Sequence, residues 1–238
     1  MTSEELNERC ENCIVRKTNV LQAMSKNELK QVSNAKISKS LKKGDILFKE
    51  GECLNGVFCI RSGATKLSKL STSGNNQIIK IAGKGKLIGK RVIIAHEKMH
   101  MQATALSDMQ VCFIPKNKII EPFKKNNKFN LEVFKSFTSE LKEADNVIMN
   151  RSQKSAQQRL AHILLDLKNT YGLDDSGFLK LKITREDLAS LIGTVKESCV
   201  RNMTVLKKKN YIKLDGQSIA ILDEKALKKI IKGKRYRN

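Results

Sequence analysis

The chain has 238 residues, 40% of them hydrophobic, enough for two modest cores, and it carries 46 Lys and Arg against 24 Asp and Glu, a formal charge of +22. That surplus favours a polyanionic partner through counterion release, but residues 156–238 hold only 18 basic and 9 acidic side chains, so charge alone does not locate a binding site. No apolar run reaches membrane-spanning length and the polar start MTSEELNERCEN has no signal-peptide core, so the expectation is a cytoplasmic protein with no membrane partner, whose six cysteines are free thiols or ligands rather than disulfides.

Taken along the chain, the N-terminal segment 1–19 holds Cys10 and Cys13 in a C-x2-C pair. From about Ser40 to Pro115 follow short β-type runs: Asp45 to Phe48, Val57 to Arg61, Ala64 to Leu70, Gln77 to Ala82 and Val111 to Ile114. Glycines such as Gly44, Gly63, Gly74 and Gly89 punctuate them. Short strands with regular turn signals predict an antiparallel β-roll or barrel, assigned to residues 20–129. Beyond it Phe134, Phe137, Leu141, Ala144, Ile148 and Arg151 recur at alternating spacings of three and four. This heptad seam predicts a long helix over 130–155 and a coiled-coil homodimer; the competing reading is a helix packed on its own β-domain.

Residues 156–238 carry the pattern of a DNA reader. Thr184 opens a short amphipathic helix, with Asp187 three positions on as in a capping box and Leu188, Leu191 and Ile192 as its apolar stripe. Gly193 supplies the left-handed turn, and Cys199, Met203 and Leu206 give a second helix its inner face. On the opposite face Lys196, Glu197 and Arg201 project together. In a major groove arginine forks onto guanine O6 and N7 and glutamate accepts from cytosine N4. Glu197 and Arg201 are therefore expected to read one G·C pair jointly, with Lys196 on a neighbouring base or a phosphate. Arg185, Thr194, Ser198, Lys207, Lys208 and Lys209 are candidate phosphate contacts, which fix register without reading sequence. Tyr211 to Leu214, an Asp215-Gly216 turn and Ser218 to Leu222 predict a hairpin wing. The tail KKIIKGKRYRN either lies along the DNA backbone or forms a solvated end.

A β-roll, a long helix and a winged helix-turn-helix in that order resemble the Crp/Fnr family of bacterial transcription regulators over nearly the whole chain. The strings that carry the resemblance are KKGDILFKEGE (Lys42 to Glu52), VFCIRSG (Val57 to Gly63), KGKLIGK (Lys84 to Lys90), VCFIP (Val111 to Pro115), QQRLAHILLDL (Gln157 to Leu167) and the helix-turn-helix itself. The resemblance implies an α+β protein, with an antiparallel β-roll of the cyclic-nucleotide-binding jelly-roll type, a dimerisation helix and a C-terminal winged helix-turn-helix. It also implies a homodimer that binds pseudo-palindromic double-stranded DNA and contacts RNA polymerase. The family's recognition helix has base-contacting glutamate and arginine at the positions of Glu197 and Arg201. Lys196 stands where the cyclic-AMP branch has an arginine, and Val200 where the oxygen-sensing branch has a serine.

The family's nucleotide pocket uses a glutamate for the ribose hydroxyl and an arginine for the cyclic phosphate. Here the first position is Lys90, and the second falls near Met99 to Met101, where no arginine stands; Ala144 and Asp145 replace hydroxyl side chains on the helix. A buried anion without its arginine leaves desolvation uncompensated, so dependence on cyclic AMP in the usual mode is not expected. His100 reads as a surface-loop residue. The family's oxygen-sensing branch holds an iron–sulfur cluster on four cysteines. Cys10, Cys13 and Cys112 match three of them, and the fourth position falls on Asn19. The expectation is a chain without a cofactor; the alternatives are a cluster with one non-cysteine ligand, or a zinc or thiol redox site on the same residues. Cys59 and Cys199 read as structural residues and Cys53 as a loop residue. Ala144 replaces an acidic residue of that branch, which implies a dimer that forms without an effector. No Walker loop, G-x-G-x-x-G or H-E-x-x-H is present, and His96, His100 and His162 are scattered, so catalysis is not expected. The rival class is a non-DNA-binding interaction module, which would lack base-reading side chains on the exposed face of its second helix.

Overall fold

Two 3-10 turns, Ile14–Thr18 and Val20–Ala23, open the computed structural model, which describes residues 9–70 and 76–233. Gly74, the first eight residues and the end of the basic tail lie outside the described residues. Val15, Val20 and Leu21 of the two turns are buried. Helix α1 (Lys26–Ala35) follows. Its Ser25 hydroxyl accepts from the Glu28 amide at 3.3 Å while Glu28 accepts from the Ser25 amide at 2.6 Å, a reciprocal capping box.

The β-region then forms as expected, with more strands than the sequence pattern reveals. Its elements are β1 (Ile37–Leu41), β2 (Ile46–Phe48), β3 (Gly56–Ser62), β4 (Ala64–Leu70), β5 (Asn76–Gly83), β6 (Leu87–Ile88), helix α2 (Lys90–Ala95), β7 (Gln102–Ala105) and β8 (Met109–Pro115). They make two four-stranded sheets, ordered β1-β8-β3-β6 and β2-β7-β4-β5. Residues from both sheets, among them Phe48, Leu67, Ala103, Phe58 and Val111, share one core. Val57 through Ile60 of β3 form an unbroken buried run. A strand buried continuously is one covered on both faces, and here the second cover is the N-terminal segment, whose Cys10, Val15, Val20 and Leu21 belong to the same core.

Helix α3 (Asn117–Lys125) leads into α4 (Asn127–Gln153), 27 residues and so about 40 Å long. Asn126 Oδ1 accepts from the Lys128 and Phe129 amides at 3.1 Å and sets the start. The chain divides into two compact units whose boundary falls inside α4, between Lys142 and Glu143, and again within β5, where Asn76 to Ile79 go with the second unit.

The C-terminal unit contains α5 (Ala156–Tyr171), α6 (Arg185–Ile192), α7 (Lys196–Lys208), the hairpin β9 (Ile212–Asp215) and β10 (Ser218–Ile221), and α8 (Glu224–Lys232). Asp215 pairs with Ser218, so the hairpin loop is Gly216-Gln217, one residue later than the expected Asp215-Gly216 turn. Leu179 N donates to Ile219 O at 2.8 Å and widens the wing. The first part of the expected basic tail, Lys228 to Lys232, belongs to α8, which is capped by Asp223, accepting from the Ala226 amide at 2.8 Å. Its buried Leu227 and the 2.6 Å Lys168–Glu224 ion pair dock it on α5. The i, i+3 spacing of Leu227 and Ile230 in the sequence carried that helix signal. No described helix is long and apolar enough to cross a membrane.

Candidate functional site

The helix-turn-helix is built as its sequence requires. The Thr184 side chain accepts from the Asp187 amide at 3.0 Å and starts α6. Gly193 ends α6 at φ 64° and ψ 54°, a left-handed conformation in which a β-carbon is strained. Cys199, Met203 and Leu206 of α7 are at most 1% exposed, so the inner face of this helix is fixed. The outer face is consequently aimed outward, and Lys196, Glu197 and Arg201 are all exposed on it. Glu197 and Arg201, four apart, lie one above the other.

The other expected contacts differ in availability. Lys196 pairs with Glu186 of α6. Both are about half exposed or more, and solvent screens such surface pairs to a weak contribution, so a base or phosphate can compete for Lys196. Lys207, Lys208 and Lys209 are exposed, and Thr194 and Ser198 are half-buried. Arg185 is a different case: its Nη2 donates to Gly216 O at 2.7 Å, which ties α6 to the wing turn. Arg159, to which the sequence assigned no individual role, donates through Nε to Ile192 O at 2.6 Å, through Nη2 to Gly193 O at 3.4 Å and through Nη1 to Lys154 O. It caps the carbonyl end of α6, where orphan acceptors attract a cation, and anchors the turn between the two helices. A lone arginine in the first turn of α5 gives no sequence signal of that reach.

On α4 the heptad residues divide. Phe134, Leu141 and Ile148 are 56%, 64% and 65% exposed, and Ala144 is exposed too. Phe137, expected in the same seam, instead packs against the core of its own β-region with Phe129 and Val133. Arg151 lies beside Gly193, its Nε 3.4 Å from the position of a β-carbon there. The long helix thus buries one stripe on its own domain, as the competing reading has it, and leaves another uncovered.

Lys90, the residue at the position of the family's nucleotide-binding glutamate, has 8% of its side-chain surface exposed. Its ammonium pairs with Glu140 of α4 and lies 5.3 Å from the Phe137 ring centroid. Burial pushes the Lys90 pKa down in spite of Glu140. Burial alone would raise the Glu140 carboxyl, but hydrogen bonding and charge from Lys90 and Lys80 outweigh it and hold it below the ordinary value. Met99 is buried and Met101 packs against the same core. His100 is half-buried rather than a surface residue, and its Nδ1 is enclosed.

The cysteines form a grouping that the sequence spacing does not show. Cys59 and Cys112 are direct cross-strand partners on β3 and β8, and both are buried. Together with Cys10 and Cys13 they line one small cavity of about 20 Å³, room for about one water, with Arg16, Lys36 and Arg61 around it. Cys59 is a buried strand residue as expected, and the β3–β8 register brings it beside Cys112 at this cavity. Asn19 Nδ2 donates to Cys59 Sγ at 3.6 Å. Burial, reinforced by the neighbouring thiols of Cys112, Cys13 and Cys10, pushes the Cys59 pKa up to about 12. Burial also raises Cys10. Among the described residues no three Cys, His, Asp or Glu side chains converge as the ligands of a single metal ion do. Cys53 is exposed, and Cys199 sits in the core under α7 as expected.

Residues 38–126 match the model of the cyclic nucleotide-binding domain family, and residues 158–230 that of the Crp-like helix-turn-helix domain. The chain is 29% identical to an anaerobic regulatory protein of Pasteurella multocida, across 92% of this chain and 81% of that protein. It is 27% identical to the fumarate and nitrate reduction regulatory protein of Yersinia pestis, across 92% of this chain and 88% of that one. Among solved structures, FixK2 from Bradyrhizobium japonicum superposes with a TM-score of 0.73 at 20% identity, covering 82% of this chain and 96% of that one. A CRP/FNR family regulator of Thermus thermophilus gives 0.70 at 22% identity, covering 83% of this chain and 99% of that one.

Proposed function

The chain belongs to the Crp/Fnr family of transcription regulators, a family of DNA-binding proteins and not of enzymes, and from that premise we propose that it acts as a homodimer on a pseudo-palindromic site, reading a G·C pair in each half-site through Arg201 and Glu197. The carrying observation is the orientation of α7. Its buried Cys199, Met203 and Leu206 leave Lys196, Glu197 and Arg201 outermost, where a helix entering the major groove meets base edges. Lys196 takes a neighbouring base or phosphate once it leaves Glu186. Thr194, Ser198 and Lys207 to Lys209 hold phosphates, while Arg185 supports the wing and reaches the backbone only at its margin.

The uncovered stripe of Phe134, Leu141 and Ile148 on α4 supports the dimer, because a seam of three large apolar side chains at heptad spacing is what a second copy covers. Dimerisation places two copies of α7 about one DNA turn apart. The domain limits follow the same division of labour: an N-terminal segment over 1–19, a sensor over 20–129, the dimer helix over 130–155 and the DNA reader over 156–238. The protein acts in the cytoplasm and engages RNA polymerase beside its site.

Cyclic AMP in the usual mode is not the effector. The Lys90–Glu140 pair supports this, since the chain supplies its own carboxylate to the buried cation. Relatives named anaerobic regulatory protein support a switch that answers anaerobic conditions, seated in the cysteine pocket. Selection from a random pool of duplex DNA tests the reading. It should return inverted repeats with half-sites centred about 10 base pairs apart and an invariant G·C pair in each. An asymmetric consensus would overturn the dimeric mode.

A further inference from the structure

We propose that Val200 reads a thymine through its C5-methyl group, at the base pair beside the G·C pair assigned to Arg201 and Glu197. The proposal deepens that reading of α7 and rests on it for the placement of the helix in the major groove.

Over Lys196 to Thr204 the outer face of α7 is charged at its edges and apolar in its middle. At about 100° per residue, and counting Lys196 as zero, Val200 falls at about 40°, Thr204 at about 80°, Glu197 at about 100° and Arg201 at about 140°. Val200 and Thr204 therefore fill the wedge between the lysine on one side and the glutamate and arginine on the other. Val200 is 40% exposed, although Cys199 before it is fully buried. Thr204 is exposed as well, and its hydroxyl turns back to donate to the Val200 carbonyl at 3.0 Å, so its proton is spent on the helix itself. The centre of the reading face thus offers a branched aliphatic side chain where its edges offer charges.

Chemistry then decides which base suits that centre. In the major groove guanine presents O6 and N7, cytosine its N4 amino group and adenine N7 with its N6 amino group. A valine satisfies none of these, and polar edges buried against it lose their water without gaining a partner. Thymine adds an apolar group, the C5-methyl, which Val200 can cover. The contact takes area out of water on both sides, since Val200 is itself an exposed aliphatic group in the free protein. Val205, also 40% exposed, falls at about 180°, beyond Arg201 and outside the wedge. It is a control of equal exposure on the same helix.

The test uses the full chain and the duplex it selects from the random pool, which should place a T·A pair next to the invariant G·C pair of each half-site. Uracil in place of that thymine in both half-sites removes only the methyl groups. Affinity should fall about 4-fold per half-site, the effect of burying one methyl group, or about 15-fold in all. In a duplex with C·G at that pair, 5-methylcytosine should bind more tightly than cytosine by a similar factor. In Val200→Ser the ratio of thymine to uracil affinity should drop to near one while discrimination at the G·C pair persists. Val200→Ala should fall between, and Val205→Ser should keep the wild-type ratio. A loss of packing or folding weakens every duplex alike and leaves the ratio untouched, so the ratio isolates the contact. A wild-type chain that binds thymine and uracil duplexes equally overturns the proposal, as does a Val200→Ser chain with the wild-type ratio. In either case an invariant G·C pair leaves the reading by Arg201 and Glu197 standing. A methyl preference that vanishes in Val200→Ser, on selected sites without an invariant G·C pair, supports the Val200 contact and refutes that reading.

Discussion

Replacing Glu140 by glutamine should destabilise the protein far more than replacing its partner Lys90 by methionine. The asymmetry follows from burial: Lys90 keeps 8% of its side-chain surface, Glu140 keeps 36%, and Glu140 has a second cation, Lys80, at 3.4 Å. Losing one partner of a fully buried pair costs about 3–5 kcal/mol. Solvent near Glu140, and the ability of the stranded Lys90 to shed its proton, reduce this to about 2–3 kcal/mol for Glu140→Gln at pH 7. Lys90→Met removes the buried ammonium itself and leaves Glu140 to Lys80 and water, so its cost is about 1 kcal/mol or less. The double variant should return to within about 1 kcal/mol of wild type. Urea unfolding followed by circular dichroism measures all four chains. The pH dependence has a defined sign. The folded pKa of Lys90 lies below the ordinary value of 10.5, so between the two the unfolded chain binds more protons and stability rises with pH. In Glu140→Gln the ammonium has lost the partner that raised its pKa, and the deficit against wild type shrinks from pH 7 toward pH 9. At the acid end the pair's contribution is present above the ordinary carboxyl value of 4.5 and is lost as pH falls through the depressed value of Glu140. Equal losses for the two single variants, or a double variant as weak as Glu140→Gln, would refute this reasoning.

Leu141→Glu and Ile148→Glu should sediment as monomers at micromolar concentration where the wild type is a dimer; since both side chains are exposed in one copy, their melting temperature should fall only by the lost contribution of association and converge with wild type on dilution. A wild-type monomer in the absence of any effector would contradict the uncovered seam. Millimolar cyclic AMP should leave both the melting temperature and DNA affinity unchanged; a rise in melting temperature would show a competent nucleotide site. Thr184→Ala should cost about 1 kcal/mol in the C-terminal unit by removing the cap on the Asp187 amide. Its DNA affinity should fall in proportion to the unfolded fraction, and a loss at full folding would give Thr184 a direct contact instead.

The sequence disclosed most where one element's pattern is self-contained. The cap at Thr184, the turn at Gly193 and the inner face of Cys199, Met203 and Leu206 were all readable, because each rests on residues within a helical turn or two. The β-runs at Ala64 to Leu70 and Val111 to Ile114 were equally plain, whereas β1 and β7 were not. ISKSL is polar and almost wholly exposed, and QATA is too short to show a period. What pairing across the chain creates stayed hidden. The pairing of Cys59 with Cys112 stayed hidden because the two lie on different strands, and Phe137 looked like a seam residue because a helix period does not say which side faces its own core. Lys90 marked a departure from the nucleotide pocket, but nothing in its neighbourhood pointed to Glu140 on α4. Arg185 read as a phosphate contact, and Arg159 stood unremarked inside QQRLAHILLDL, until the carbonyls of Gly216 and Ile192 appeared beside them.

The most direct measurement of the central claim is the affinity of Arg201→Ala for the selected palindrome and for random duplex DNA over a range of salt. Removal of a bidentate base contact costs about 1–3 kcal/mol and erases preference at that position. Arg201→Ala should therefore weaken the selected site by roughly 5- to 150-fold for each half-site, abolish discrimination at the G·C pair, and leave random-DNA affinity and the salt slope nearly unchanged. An Arg201→Ala chain that binds the selected site as wild type does, or that weakens on both DNAs equally, would contradict the account.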